Sequence, residues 1–222
     1  YSYNDSDLTA TVTGYTGTIS GDLVIPGSVK NDNKTYTVTA IADETFKNCT
    51  ELTSVTTPHT LETIGASAFE SCTGMESVVI GRNVKSIGSY AFKYCSALVN
   101  IDYYAVNCGS LNTTIWYDAL AYNKNLTIRN SVKSIPSYAF FHLPYLTSVT
   151  IPNSTESIGE YAFAGNSQLT SFTMGSNVRT IGYYAFRSSG ITSIDLLNVE
   201  TVGEGIFEDC TELQTVTLRN SL

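Results

Sequence analysis

Hydrophobic and polar positions along this chain alternate in short bursts that return at a fixed interval. In "LTSVTIP" (Leu146 to Pro152), Val149 and Ile151 point one way and Thr150 the other, the period-two pattern of a half-buried strand. The burst is followed by I-G-x-Y-A-F, where the alternation stops. Aligned on I-x-x-x-A-F, the units start at Ile41, Ile64, Ile87, Ile135, Ile158, Ile181 and Val202, with spacings of 23, 23, 48, 23, 23 and 21. The 48 is close to two units, so a degenerate copy is expected in the middle. The 21 follows from single deletions after Phe186 and after Leu196. A period of ~20–50 residues signals a solenoid, in which each unit stacks on the last to bury a shared core.

The pattern assigns a place to each part of the unit. The eight strands should carry Val55, Val78, Ile101, Leu126, Val149, Phe172, Ile194 and Val216 inward, in parallel and ~4.8 Å apart. The Y-A-F stretch reads as one helical or 3-10 turn with its aromatic inward, giving a buried column of Phe46, Phe69, Phe92, Phe140, Phe163, Phe186 and Phe207. The Gly or Pro after the leading Ile, and the Pro or Gly after the strand, are expected to turn the chain back. Residues 1–40 read as an N-terminal β cap, with "KNDNKTYT" as a hairpin inserted into the first coil, and residues 41–222 as the solenoid. The degenerate unit, near 104–134, keeps a strand but has lost a clear A-F signature.

The spacing L-x-x-V-x-I matches the L-x-x-L-x-L of leucine-rich repeats. "SIPSYAFFHLPYLTSVTIPNSTESIGEYAF" closely resembles the BspA-like (Treponema pallidum-type) class of these repeats, and the resemblance covers about residues 20–222. It implies an α/β, right-handed leucine-rich-repeat solenoid, mainly parallel β with short helical or 3-10 turns on the convex side. It also implies an exported or surface-displayed protein acting in adhesion or cell-to-cell contact, with no catalytic residues to carry over.

Composition narrows the partners. The chain of 222 residues carries 12 Lys+Arg against 20 Asp+Glu, a net charge of -8, which argues against a nucleic-acid backbone. No apolar run approaches the ~20 residues of a membrane span. With 25 Ser, 30 Thr, 16 Asn and 15 Tyr, the surface is made soluble by hydroxyls and amides, a flavour common in extracellular proteins. Six Asn-x-Ser/Thr sequons arise in so Asn- and Thr-rich a chain, and matter only in a glycosylating host.

Candidate chemistry is sparse. Cys49, Cys72, Cys95 and Cys210 each lie three residues after the unit's aromatic, so they should form a column of buried, reduced thiols; Cys108 lies outside it and should be the most accessible. C-x-x-C spacing is absent, and His59 and His142 sit in no catalytic motif, so no metal, cofactor or enzyme activity is expected. Tyr90, Tyr138, Tyr161 and Tyr184 form either a packed ladder or an aromatic contact strip.

The concave strand face is more informative. Its outward positions are Thr56, Val79, Asp102, Thr127, Thr150, Thr173, Asp195 and Thr217. They make either a β-propensity ladder or a flat polar platform for an extracellular protein or glycan. As a sequence, the platform lacks the aromatic and Arg anchors of tight interfaces. The reading is a non-catalytic binding module, with a spacer or an accessory domain of a larger exported enzyme as alternatives. The strand ahead of Leu222 has no capping segment after it, so further repeats, another domain or self-association are expected there.

Overall fold

The computed structural model of the chain describes residues 1–109, 111–119 and 124–218. The N-terminal segment contains β1 (Ser2–Asn4), β2 (Thr9–Val12), β3 (Gly21–Val24), β4 (Ser28–Asn31) and β5 (Lys34–Ile41). β4 and β5 form an antiparallel hairpin, and both turn residues, Asp32 and Asn33, have positive φ (45° and 65°). That is the twist a two-residue hairpin loop favours, and Asp and Asn tolerate it better than most residues.

From β6 onward, long and short strands alternate. They are β6 (Leu52–Thr56), β7 (Thr63–Ile64), β8 (Ser77–Ile80), β9 (Ser86–Ile87), β10 (Asn100–Tyr103), β11 (Asn125–Ile128) and β12 (Ser134–Ile135). The series continues with β13 (Ser148–Thr150), β14 (Ser157–Ile158), β15 (Ser171–Thr173), β16 (Thr180–Ile181), β17 (Ser193–Asp195), β18 (Thr201–Val202) and β19 (Thr215–Thr217). Between β10 and β11 no short strand occurs among the described residues. Both series pair in parallel and in the expected register: Val55 faces Val78, Ile101 faces Leu126, and Val149 faces Phe172. β3 adds a ninth long strand by pairing with β6. Seven of the eight expected inward residues are buried. The exception, Val216, shares Ile194's register but is 37% exposed, because no described coil stacks on it.

The aromatic column is present. Ring centroids of Phe46, Phe69 and Phe92 follow one another at 5.2 and 5.4 Å, and those of Phe140, Phe163, Phe186 and Phe207 at 5.5, 5.8 and 6.0 Å. Phe207 is only partly buried. In the degenerate coil Trp116 takes the Phe position, stacked 4.9 Å from Phe92, with Ile115 in place of Ala.

The turns that carry these rings differ from the expected helical or 3-10 turns: no helix is present among the described residues. Two positions in each regular turn are left-handed, and one, Asp118, in the degenerate turn. Ser67 and Ser71 have φ of 51° and 61°, Tyr90 and Tyr94 of 61° and 59°, Tyr161 and Gly165 of 51° and 75°. A left-handed residue every fourth position cannot propagate a right-handed helix. It aims alternate N–H groups along the stack instead, so Phe46, Phe69 and Phe163 donate to the carbonyls of Ala68, Ala91 and Ala185 in the next coil, each at 2.8 Å. The N–H groups between them bond within the coil, as Glu70 does to Ser67 O and Cys72 to Phe69 O, so the turn backbone is satisfied alternately along the stack and within the turn.

Glycine after the leading Ile also has a different role from the expected one. A Cβ on Gly65, Gly88, Gly159, Gly182 or Gly203 would lie only 2.4–2.6 Å from backbone of the preceding coil, so these glycines permit close stacking rather than reverse the chain. Pro136 occupies this position in the coil after the degenerate one. There the stacking loosens: among the described residues β11 does not pair with β13, and β12 has no short strand in the degenerate coil to pair with. The N–H groups of Trp116 and Asp118 make no rung to the next coil either; instead the Trp116 indole Nε1 donates to Ala139 O at 2.8 Å. Trp and Ile in place of Phe and Ala are larger, and the extra volume wedges the turn side open.

Candidate functional site

The long-strand face, the one read from sequence as concave, holds all eight candidate positions. Thr127, Thr150, Thr173, Asp195 and Thr217 are exposed, and Thr56, Val79 and Asp102 are half-buried. Parallel register stacks them in three successive ladders, Thr56–Val79–Asp102–Thr127, Thr150–Thr173 and Asp195–Thr217, because in a strand every second side chain returns to the same face. Val24 of β3 extends the first ladder and is 68% exposed. Beside it the Asp22 carboxylate accepts from Ser54 Oγ at 2.6 Å and Thr53 Oγ1 at 3.0 Å, which holds its pKa below the usual carboxylate range.

Two side chains that the sequence reading left out change the character of this face. Arg129, just past β11, donates from Nη2 to Asp102 Oδ1 at 2.8 Å, and its guanidinium lies 5.2 Å from the ring centroid of Tyr104, just past β10. The Asp102 hydrogen bond favours the charged guanidinium and pushes its pKa up. Tyr104 and Arg129 follow Tyr103 and Ile128, which are themselves paired. The β10–β11 register alone therefore brings them side by side. The signal was available, since aligning "IDYYAV" with "LTIRNS" sets Tyr against Arg, but the strand consensus ended one position too early.

The face is not uniformly paired. Where β11 and β13 part, a cleft of about 310 Å³ opens, lined by Leu126, Thr127, Ile128, Asn130, Ser148, Thr150 and Pro152. A second cleft, of about 280 Å³, opens between β15 and β17 and takes in Thr173, Met174, Asp195 and Thr217. Five of the eight candidate positions line one cleft or the other, and the Asp102–Arg129–Tyr104 cluster stands next to the first.

The other sequence candidates fall elsewhere. Cys72, Cys95 and Cys210 donate from Sγ to the carbonyls of Phe46, Phe69 and Phe186 at 3.1, 3.2 and 3.0 Å, so the thiol column also caps the aromatic turns. Asn166 fills the same position and donates to Phe140 O at 3.0 Å. All five cysteines are free. Burial pushes the Cys72 pKa up to about 12 and raises those of Cys95 and Cys108. Cys108 is half-buried, and so is Cys210. Tyr138, Tyr161 and Tyr184 stack at 5.1 and 5.0 Å. Tyr90 leaves that ladder and, with Tyr94 and Tyr117, surrounds Lys93, whose Nζ is 4.7, 4.6 and 5.5 Å from the three ring centroids. His59 is exposed, and no cluster of three or more His, Cys, Asp or Glu suited to a metal occurs among the described residues. Nor is there a helix among them long and apolar enough to cross a membrane.

Stacked parallel coils with a broad strand face define a leucine-rich-repeat solenoid. The sequence profile of the BspA type leucine rich repeat region matches residues 28–142 and 110–222, in six copies, and the chain belongs to that family. Among solved structures it is similar to a leucine rich cell surface protein from Faecalibacterium prausnitzii, at 30% identity and a TM-score of 0.58, over 99% of this chain and 52% of that one. The chain thus spans about half the length of that relative. It is also similar in fold to the T. pallidum leucine rich repeat protein, at 22% identity and a TM-score of 0.64, over 96% of this chain and 87% of the other. A leucine-rich repeat protein from Bacteroides ovatus matches at 20% identity and a TM-score of 0.53, over 99% and 69%. No curated protein matches.

Proposed function

We propose that the long-strand face is a protein-binding surface of an exported or cell-surface adhesin, with Tyr104 and Arg129 as its anchors. The observation that carries this reading is the Asp102–Arg129–Tyr104 cluster beside an open cleft, in a face otherwise lined mainly by Thr. Tyr and Arg are enriched among residues that dominate interface energy, and a guanidinium already held by a carboxylate and a ring loses little freedom on binding. The surrounding Thr, Ser and Asn side chains supply a polar rim that accepts many partners weakly, so affinity would build with the number of coils engaged. Residues 1–40 would serve as the cap that shields the first coil. The family's role as a non-catalytic scaffold, and the surface location named for the F. prausnitzii relative, support this assignment.

The test is solid-phase binding of the chain to a panel of purified extracellular-matrix proteins. Saturable binding is expected, weakened at least tenfold in Tyr104→Ala and in Arg129→Ala. A spacer would bind none of the panel. Equal binding by the anchor variants would remove the site from this face.

A further inference from the structure

The turn side of the molecule holds a second, unrelated recess. Where the degenerate coil is wedged away from its neighbour, a cleft of about 270 Å³ opens between the two turns, walled by Thr113, Thr114, Trp116, Tyr117, Phe141 and His142. Four of these six side chains are aromatic rings, three bear hydroxyls (Thr113, Thr114 and Tyr117), and none is a carboxylate, ammonium or guanidinium. The rings are fixed before any ligand arrives. Tyr117 packs edge-on against Tyr90 and Tyr94, each at 6.3 Å, and lies in the cage around Lys93. Phe141 packs edge-on against Tyr138 at 6.0 Å, and the Trp116 indole is tied to Ala139 O.

We propose that this cleft binds one pyranose ring of a neutral glycan. A pyranose offers C–H groups on its faces and hydroxyls around its rim. The faces suit the electron-rich π surfaces of fixed aromatic rings, and the hydroxyls suit the Thr and His groups at the edge. With no carboxylate, ammonium or guanidinium in its lining, the cleft offers an ionic ligand no permanent counter-charge. The size also decides, because the cleft is smaller than the ~300–1,000 Å³ typical of drug-sized ligands. An extended proline-rich peptide needs a groove several residues long at ~3.1 Å each. Here the Tyr90–Tyr94 pair flanks Tyr117 and Tyr138 flanks Phe141, so the recess is short. Pre-set rings lose little freedom on binding, which is what a weak single-ring ligand requires.

Trp116 is the single tryptophan of the chain, so the cleft carries its own reporter. The experiment is titration of the chain with N-acetylglucosamine, methyl mannoside and lactose, followed by tryptophan emission and by amide chemical shifts. The expected result is a saturable change with at least one of these sugars, centred on residues 113–117 and 141–142. Tyr117→Ala and His142→Gly should weaken it at least tenfold, while Tyr117→Phe keeps the ring and the response. His142 has a φ of 56°, so Gly there removes the imidazole without straining the backbone, and this variant decides the matter if Tyr117→Ala folds poorly. No saturable change with any of the three sugars would overturn the assignment. So would an undiminished response in His142→Gly, or a response to glucuronate or a proline-rich peptide alone.

Discussion

Phe163 stacks on Phe186 with ring centroids 5.8 Å apart and planes 7° from parallel, although 23 positions separate them in the chain. Phe172, from the neighbouring long strand, meets both rings edge-on at 5.2 and 4.8 Å. This three-ring contact joins the turn side to the strand side. Phe163→Ala should therefore destabilise the fold by ~3–5 kcal/mol through the cavity it leaves. Denaturant titration reads this directly, and a loss below ~1 kcal/mol would show that the site is not core.

Lys124 is a buried cation where regular coils have an aliphatic side chain. It is bridged in parallel to Leu146 and donates from Nζ to Leu98 O, and burial lowers its pKa to about 8. Unfolded, the same amine titrates near ~10.4, so between those two pH values the unfolded chain binds more protons and this residue's contribution to stability rises with pH. Below about 8 its penalty is fully present. At about 1.4 kcal/mol per pK unit, the gap makes ~3 kcal/mol. Lys124→Met should be more stable than wild type by about that much at pH 7, with the difference shrinking toward pH 10.5. The buried thiols work in the opposite sense, because Cys72, held up to about 12, loses stability as pH rises past its unfolded value. The informative quantity is thus the difference between the two proteins. A gap that does not narrow with pH would refute the buried-charge account.

Thiol labelling should proceed in two tiers. Cys108 and Cys210 are half-buried and should react first, while Cys72 and Cys95, fully buried and held as thiols, should react only as the fold opens. Mass spectrometry over a time course measures this. Cys95 modified as fast as Cys108 in the folded protein would contradict it.

The left-handed turn positions give a stabilising substitution. Ser71 has a φ of 61°, and Gly165 fills the equivalent place at 75°. Ser71→Gly should raise stability by ~0.5–1 kcal/mol by relieving strain, less whatever the freer unfolded chain takes back. Ser71→Val should lower it by ~1–2 kcal/mol, since a β-branched residue fits this region worst. Thermal melts of the pair check the ordering, and a Val variant as stable as the Gly variant would refute it.

Much of this architecture could be read from the residues, because the inward positions obey a period that stacking turns directly into register. Val55 to Ile194 are buried where alternation put them. The turns escaped because Y-A-F resembles a helical fragment locally. Only the hydrogen bonds between coils reveal why Tyr90 or Tyr161 is left-handed, and those are contacts between residues some 23 positions apart. Trp116 escaped because it breaks the A-F signature, whereas the column accepts any flat ring with a small or aliphatic residue before it. The candidate site was legible only as a list of outward positions. Arg129 and Tyr104 lie one position beyond the alternating run, and nothing local distinguishes them from loop.

The parting of the ladders between the coil of Trp116 and the coil of Phe140 has a mechanical meaning. Hydrogen bonds between coils run along the stack, so tension between the two ends passes through every junction in series rather than being shared. A series yields at its weakest member. Here that member is the junction that, among the described residues, holds neither a long-strand nor a short-strand ladder and is tied instead by single contacts such as the Trp116 indole, the Leu111 N–H to Ser137 O and the Lys124–Leu146 bridge. The molecule therefore carries a tensile fuse near its middle, where it can lengthen under load while the coils on either side stay wound.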